Sequence, residues 1–292
     1  MRVTCATYNI HFGVGQDDVH DLERIVGAVA DADILCLQEV GRNWTADRRV
    51  DQAAEIAEAL NHYFVYGAGL DIDAGEAAEN GRVVNRRRAF GNMVTSRWPI
   101  RSTRTHLLPK PALPDSFDLQ RCAVEAVVEV PGAPLRVYSV HLSHVSTAQR
   151  VPQVEALLDF VRRAPDEGRA WDGSHDMLAR QGLDRIDMPS RALIMGDMNF
   201  TPADPEYAMI CGEEGPVYGR RARYDQFPDA WTLAGRGEDE GDSFIERYRP
   251  GFRIDHAFVS HDLAPAVRRA WIDDSAVGSD HFPLFVEFAF ED

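Results

Sequence analysis

The sequence lacks three features that would assign a chain to a special class. Its four cysteines are scattered over 292 residues and form no CxxC pair, so no zinc or redox motif is evident. No run of about 18 apolar residues is present, which excludes an obvious membrane-spanning helix. Positive charge is also scarce, because 31 Lys and Arg stand against 47 Asp and Glu. The resulting net charge of −16 argues against a broad basic surface for nucleic acid backbone.

The cysteines and the N-terminal segment bear on cellular location. Cys5, Cys36 and Cys122 lie within apolar, strand-like runs, where a free thiol behaves as a small hydrophobic side chain. Unpaired buried thiols are typical of a reducing compartment. The opening segment MRVTCATYNIHFG has neither the apolar core nor the cleavage site of a signal peptide. We therefore expect a cytoplasmic protein.

Strand-like and helical patterns alternate along the chain without an internal repeat or a clear linker. Strand-like runs occur at Val3–Tyr8, Ile34–Gln38, Gly91–Ser96, Ala123–Val130, Leu135–Val140, Ala192–Met195, Ile254–Val259, Ala266–Ile272 and Leu284–Phe290. Helical spacing of apolar residues occurs at 22–29, 53–60 and 154–161, with Pro152 expected near the first turn of the last helix. Hairpin-like strand pairs mixed with βα units predict an α/β fold with mixed sheets. We expect a single catalytic domain over residues 1–292.

Three long stretches lack strong periodicity and are rich in Gly, Asp, Glu and Arg. They are Gly67–Arg88, Arg163–Ser190 and Gly212–Phe252. Loops of this length are uncommon unless they are functional. The sequence thus predicts three long surface loops or insertions that select the substrate.

Polar residues stand at the ends of the predicted strands. Those that follow a strand are Asn9, Glu39, His141, Asp197 and Asn199, and those that precede one are Asp255, Asp280 and His281. Each has a simpler explanation as a turn residue, a solvated strand end or a hydrogen-bonded core histidine. If the strands are partly antiparallel, however, all of these positions meet at one edge of the sheets.

Oxygen ligands and histidines in this combination suit the hydrolysis of a phosphate ester. Glu39 and a few further oxygens can hold Mg²⁺ or Mn²⁺, which bind proteins through one or two carboxylates and keep several waters. Asp197 can orient or deprotonate the attacking water. His141, and His281 held by Asp255, can donate hydrogen bonds to the phosphoryl oxygens. No covalent nucleophile is required.

The signature segments resemble those of a known enzyme superfamily. They are TYNIH, LQEV, GNMVTSRWPI, YSVHLSH, GDMNFTP, RIDHAFV and SDHFPL, in this order from Tyr8 to Leu284. This order resembles the endonuclease/exonuclease/phosphatase, or deoxyribonuclease-like, superfamily, which also holds abasic-site endonucleases, inositol polyphosphate phosphatases and neutral sphingomyelinases. The resemblance implies a four-layer α/β sandwich of two packed mixed β-sheets flanked by helices.

The resemblance also implies a role for each matching position. The implied metal-site residues are Asn9, Glu39 and Asp280. His141 would contact the phosphate, and Asp197 would position the water with Asn199 beside it. Asp255 would orient His281. Since Asp197 and Asn199 are two residues apart, an extended segment would point both side chains into the same site.

Other motifs have weaker functional interpretations. His141 and His144 in HLSH could suggest zinc, but no cysteine or third histidine follows nearby. The basic run of Arg86, Arg87 and Arg88 is either a solvated loop or a patch for a second anionic group of the substrate. Arg150 is expected to pair with a carboxylate. The tryptophans expected in the core or in loops are Trp98, Trp231 and Trp271.

Three functions remain open from the sequence. The first is a metal-dependent phosphohydrolase or phosphodiesterase acting on a small or lipid-linked phosphate ester. The second is an endo- or exonuclease acting on DNA or RNA, which the acidic net charge of −16 disfavours mildly. The third, a non-catalytic phosphate-binding protein, is disfavoured because every implied catalytic position carries the expected residue type.

Overall fold

The computed structural model describes residues 1–45, 49–75, 80–168, 170, 171, 173, 176–182, 187–245 and 251–290. Its strands are β1 Arg2–Asn9, β2 Ile34–Arg42, β3 Tyr63–Asp73, β4 Arg87–Ser96, β5 Ile100–Leu107, β6 Cys122–Val128, β7 Leu135–His141, β8 Ala192–Asp197, β9 Glu214–Gly215, β10 Gly219–Arg220, β11 Asp255–Val259, β12 Val267–Ile272 and β13 Leu284–Ala289. Its helices are α1 Leu22–Val29, α2 Gln52–Leu60, α3 Thr147–Glu167, α4 Asp176–Arg180, α5 Pro205–Cys211 and α6 Ala230–Leu233.

Two mixed sheets form the centre of the molecule. The first has the strand order β12-β13-β1-β2-β4-β3 and the second β11-β8-β7-β6-β5, while β9 and β10 pair separately. The β1–β2 and β7–β8 pairs are parallel, and the other pairs within the two sheets are antiparallel. This mixture places the ends of some strands beside the beginnings of others.

Apolar faces divide the structure into four layers. Residues of both sheets, such as Val3 and Ile34 of the first and Val137 and Met195 of the second, share one buried core between the sheets. A second cluster packs α1 and α2 on the outer face of the first sheet, and a third packs α3 and α5 on the outer face of the second. The predicted four-layer α/β sandwich of two mixed sheets is therefore confirmed.

Helix α1 shows how the sequence pattern produces this layering. Its residues Ile25 and Val29 are fully buried, because residues four apart lie on one face of a helix. The Asp21 side chain accepts hydrogen bonds from the backbone N–H groups of Glu23 and Arg24, which caps the first turn. Local capping and one apolar face thus direct the helix onto the first sheet.

The prediction of three long loops is wrong in part. The 67–88 stretch begins inside β3 and ends inside β4, and the unpredicted strand β5 follows directly after β4. Strand β3 lies at one edge of the first sheet and β5 at one edge of the second, and most of their residues are exposed or half-buried. Strand β5 shows no apolar run and β3 has one only at residues 63–66, because pairing rather than burial determines edge strands of this kind.

The other two stretches also contain regular structure. Helix α3 continues to Glu167, and α4 lies at Asp176–Arg180, both within the 163–190 stretch. The 212–252 stretch holds β9, β10 and α6, and its residues 246–250 fall outside the described residues. Pro152 lies in the second turn of α3 rather than the first, because that helix already begins at Thr147.

Other expectations from the sequence can be compared directly with the structure. Arg150 forms the expected ion pair, with its Nε 2.8 Å from Oε1 of the fully buried Glu206. All four cysteines are free and buried. Trp231 lies in the core between the sheets, and Trp98 packs against that core. No helix in the described part of the chain combines the length and apolar character needed to cross a membrane.

Candidate functional site

The registers of the strands bring the predicted residues to one edge. His141 at the end of β7 lies opposite Asp197 at the end of the parallel β8. Asp197 in turn lies opposite Asp255, which begins the antiparallel β11. At the end of β1, Asn9 lies opposite Gln38, the residue before Glu39. The convergence expected from a partly antiparallel arrangement is therefore observed.

Asp197 is the centre of this cluster. Its Oδ2 accepts a hydrogen bond from Asn9 Nδ2 at 2.9 Å, and it lies 3.2 Å from His141 Nε2 and 3.7 Å from His281 Nε2. Its Oδ1 accepts from the backbone N–H of Asn199 at 3.0 Å. Burial favours a raised pKa for Asp197, but the two histidines outweigh burial and hold its pKa well below the usual range. The carboxylate is therefore ionised at neutral pH and is a weak base.

Asp255 and His281 form the second pair of the site. Their Oδ2 and Nδ1 atoms are 2.8 Å apart, and both residues are buried. Burial raises the pKa of Asp255 to about 6, which still leaves a carboxylate at neutral pH. Burial favours a lowered pKa for His281, but the carboxylates of Asp255 and Asp197 outweigh it and raise the pKa to about 10. An imidazolium therefore faces Asp197, with its Nε2–H directed towards that carboxylate.

Arg121 is a site residue that the sequence analysis missed. Its Nη1 lies 3.0 Å from Nδ1 and 3.1 Å from Nε2 of His141, and its Nη2 lies 3.0 Å from His144 Nδ1. Because a guanidinium only donates, His141 accepts at Nδ1 and keeps its proton on Nε2, towards Asp197. Burial, followed by the charge of Arg121, lowers the pKa of both histidines. The only sequence signal for Arg121 was a basic residue directly before β6.

Three residues of the first sheet and its connections offer oxygen atoms. Asn9 ends β1 and Asp280 precedes β13, but Glu39 lies inside β2, which continues to Arg42, so the expectation that Glu39 follows a strand is wrong. Glu39 is half-buried, and it has no hydrogen-bond or ion-pair partner among the residues that the structure describes. Ser279 links the other two, because its Oγ donates to the carbonyl of Asn9 at 2.7 Å and lies 3.2 Å from Asp280 Oδ1. Within those described ranges, no three His, Cys, Asp or Glu residues form a ligand cluster. This set suits an ion that binds few carboxylates and keeps its water, such as Mg²⁺.

The backbone around these oxygens is strained. Glu39 has φ 58°, at a break in the β2–β4 register between Leu37 and Val40. His11 and Phe12, just beyond β1, have φ 44° and 42°. A non-glycine residue in this region costs on the order of 1–3 kcal/mol, and such residues cluster at functional sites. Glu39 therefore has a backbone conformation of the kind found at functional sites.

Asn199 differs from the sequence expectation. Its φ is 53°, so the segment after β8 turns at this residue and is not extended. Its Nδ2 donates to the carbonyl of Leu142 at 3.1 Å, on the neighbouring strand end. Asn tolerates this left-handed backbone better than most residues, which is why it suits the turn. The residue lies beside Asp197 as expected, but through a turn.

The structure also places residues of the basic run at 86–88 and of the HLSH motif. Arg87 is exposed and pairs with Asp71 across β3 and β4, with 2.8 Å between Nε and Oδ1. His141 and His144 both contact Arg121, and a bound cation beside that guanidinium would be repelled.

Comparisons with known proteins bear on the family and the fold of this chain. The model of the Endonuclease/Exonuclease/phosphatase family matches residues 6–281. An endonuclease/exonuclease/phosphatase from Beutenbergia cavernae has a TM-score of 0.62 and 21% identity over 99% of this chain and 72% of its own. One from Bacteroides vulgatus has a TM-score of 0.63 and 19% identity, with both chains covered completely. The mannosyl-6-phosphatase of Bacteroides thetaiotaomicron has a TM-score of 0.60 and 18% identity over 99% and 100% of the two chains.

These structural likenesses are too distant in sequence to show more than the fold. The comparison with curated protein sequences finds no match. The family model, however, covers nearly all of the sequence, from the middle of β1 to three residues before β13. The chain therefore belongs to the endonuclease/exonuclease/phosphatase family.

Proposed function

We propose that this protein is a divalent-metal-dependent phosphohydrolase that cleaves a phosphate ester by direct attack of a water molecule, with residues 1–292 acting as one catalytic domain. The observation that carries the proposal is the buried Asp197 carboxylate, whose Oδ2 lies within 3.7 Å of nitrogen atoms from Asn9, His141 and His281. Acidic and donor groups concentrated at one sheet edge suit a reaction in which water attacks phosphorus and an alkoxide leaves.

The proposed metal-site residues are Glu39, Asp280 and Asn9. The Glu39 carboxylate, which has no hydrogen-bond or ion-pair partner among the described residues, and the half-exposed Asp280 carboxylate fit a hard cation with oxygen ligands. Mg²⁺ or Mn²⁺ bound there would polarise the phosphoryl group and stabilise charge on the leaving oxygen. Without a thiolate among them, these donors do not favour a softer metal.

The remaining residues act on the water and on the phosphoryl oxygens. Asp197 accepts a hydrogen bond from the attacking water and orients it. As the new P–O bond forms and the bond to the leaving oxygen breaks, Asp197 takes one proton from the water and, because its neighbours hold its pKa low, passes it on to the leaving alkoxide, which departs as the alcohol. The His281 imidazolium and the Arg121 guanidinium supply positive charge where negative charge develops. His141, neutral with its proton on Nε2, donates a hydrogen bond beside them.

The proposed substrate is a small or lipid-linked phosphate ester. The net charge of −16 gives no general attraction for a long polyanion, so recognition has to come from the few cations inside the site. The similarity to a mannosyl-6-phosphatase supports a phosphatase, although that relationship by itself concerns only the fold. Salt dependence separates a small ester from a nucleic acid, because binding to nucleic acid weakens steeply as salt rises.

A substrate screen with a matched inactive variant tests the proposal. We expect wild-type protein with Mg²⁺ to hydrolyse at least one member of a panel of sugar phosphates, inositol phosphates, phospholipids, nucleotide diesters and oligonucleotides. The same panel with Asp197→Asn reports any contaminating hydrolase. Equal release of product by the wild type and the variant, or none from any substrate, would contradict the proposed function.

Asp255→Asn tests the histidine pair. The carboxamide keeps the shape of the side chain but removes the charge that holds and orients His281, so we expect kcat to fall about tenfold to a hundredfold. KM should change less, because a misplaced hydrogen-bond donor weakens binding of the transition state more than binding of the substrate. Steady-state kinetics on the substrate found in the screen measures both constants.

The control for this variant is the same change at Asp225, which is half-exposed and pairs with Arg223 away from the site. Asp225→Asn should leave kcat and KM unchanged. A value of kcat for Asp255→Asn equal to that of this control would remove Asp255 from the mechanism.

A further inference from the structure

Behind the catalytic edge lies a buried polar chain that the reaction itself does not use. It runs from Asp229 through Arg253 and His256 to the backbone carbonyl of Phe200, and each of these four residues is at most 3% exposed. Arg253 Nη1 donates to Asp229 Oδ2 at 3.0 Å and lies 2.8 Å from His256 Nδ1. His256 Nε2 lies 2.9 Å from the carbonyl oxygen of Phe200.

The partners determine the direction of these hydrogen bonds. The Arg253 guanidinium only donates, so His256 accepts at Nδ1 and carries its proton on Nε2. That proton is donated to the Phe200 carbonyl, because a carbonyl only accepts. Arg253 is held in turn by Asp229 and by the carbonyl of Glu238, which its Nη2 reaches at 2.8 Å. The hydrogen bonds therefore all run in one direction, from the Arg253 cation through His256 to the Phe200 carbonyl.

The Phe200 carbonyl lies at the end of the turn that carries Asp197 and Asn199. On one side of this turn, β11 supplies His256, and Ile254, directly before β11, supplies a carbonyl that accepts from Met198 N at 2.9 Å. On the other side, the segment after β7 contacts the turn through Leu142, whose N–H donates to the Asp197 carbonyl at 3.0 Å. Because Asn199 has φ 53°, the turn needs such restraints to keep its shape.

We infer that His256, held by Arg253 and Asp229, is a positioning residue that fixes the 197–200 turn and so sets the direction of the Asp197 carboxylate. This inference rests on the proposed function of Asp197. It concerns residues that do not touch the substrate, and their effect on rate comes from geometry. Displacing a reacting group by about 1 Å can cost about 10²-fold in rate.

Two substitutions at His256 test its hydrogen bond to Phe200 separately from its hydrogen bond to Arg253. The amide nitrogen of Gln can occupy the place of His Nε2, so His256→Gln keeps the donor to Phe200. The shorter His256→Asn keeps an acceptor for Arg253 but cannot reach Phe200. We expect His256→Asn to lower kcat about tenfold to a hundredfold with KM little changed, and His256→Gln to stay within about threefold of wild type.

Two measurements keep this test independent of general destabilisation. Tyr138→Phe is the control, since it removes buried hydrogen bonds to Glu125 and Arg136 in the same sheet, on the face that packs against α3. It should lower Tm without lowering kcat below the melting range. Hydrogen exchange of the Met198 and Asn199 amides should accelerate at least about tenfold in His256→Asn, but not in His256→Gln.

Each outcome decides the proposal. Equal kcat in the Asn and Gln variants, with equal exchange of those amides, would overturn it. If His256→Asn does not fold, His256→Met, which fills more of the space but has no donor, takes its place in the comparison. If wild-type protein hydrolyses no ester, the proposed function fails, and the exchange rates alone then decide whether His256 holds the turn.

Discussion

Asp197→Asn is expected to lower kcat by about 10²- to 10⁴-fold while the protein remains folded and binds metal, a range typical for the loss of the group that acts on the attacking water. The carboxamide nearly matches the carboxylate in shape but has one acceptor oxygen instead of two. Oδ2 faces donors from Asn9 and His141, and Oδ1 faces the N–H of Asn199. An amide nitrogen must therefore oppose at least one donor, and no oxygen remains to hold the water.

The same geometry predicts a moderate cost in stability. One buried donor loses its acceptor, which costs on the order of 1–3 kcal/mol. Single-turnover kinetics, metal content and Tm therefore have to be measured on one sample. Retention of more than about half of the rate lies far outside the range for this role and would contradict it. Loss of metal together with rate would instead make Asp197 a metal ligand.

Glu39→Gln is expected to abolish most turnover by weakening metal binding. A neutral amide is a poor ligand for Mg²⁺, and the Glu39 carboxylate has no hydrogen-bond or ion-pair partner among the described residues. Changing even a group that only supports a metal ligand costs about 10- to 100-fold in affinity or activity, so we expect a loss of about a hundredfold or more at low Mg²⁺. Raised Mg²⁺ should restore part of the rate.

Stability provides the internal control for Glu39→Gln. Since Gln has nearly the shape of Glu and must adopt the same φ of 58°, the strain of the bulge is unchanged and Tm without metal should be unchanged as well. Excess chelator should stop the wild-type enzyme, and added Mg²⁺ or Mn²⁺ should restart it. Full wild-type activity in chelator, or a variant whose metal titration matches that of wild type, would exclude Glu39 from a metal site.

Local patterns in the sequence were sufficient for much of the architecture. The apolar spacing at Ile25 and Val29 predicted α1, and the apolar run at 192–195 predicted β8, because each pattern depends on neighbours within one element. Edge strands β3 and β5 were missed for the same reason. Their residues are half exposed, and only their pairing with β4 and β6 makes them strands.

The sequence predicted the residue types and positions of the catalytic candidates beside the strands. It did not predict which of these residues contact one another. The sequence indicated Asp197, Asp255 and His281 as polar residues beside strands, and the family resemblance assigned them to one site. Which of them touch depends on register. A shift of one residue between β8 and β11 would separate Asp197 from Asp255 and turn one of the two to the other face.

By itself, then, the sequence determined the apolar strands, the helices between them and the polar residues near the strand ends, because these follow from periodicity over a few residues. The packing of the strands into two sheets was implied only by the family resemblance. Only the tertiary structure placed Arg121 against His141 and directed His256 to the Phe200 carbonyl. Those contacts join residues 20 and 56 positions apart. No local pattern encodes such a contact, since a buried arginine or histidine acquires its partner only when separate strands pack together.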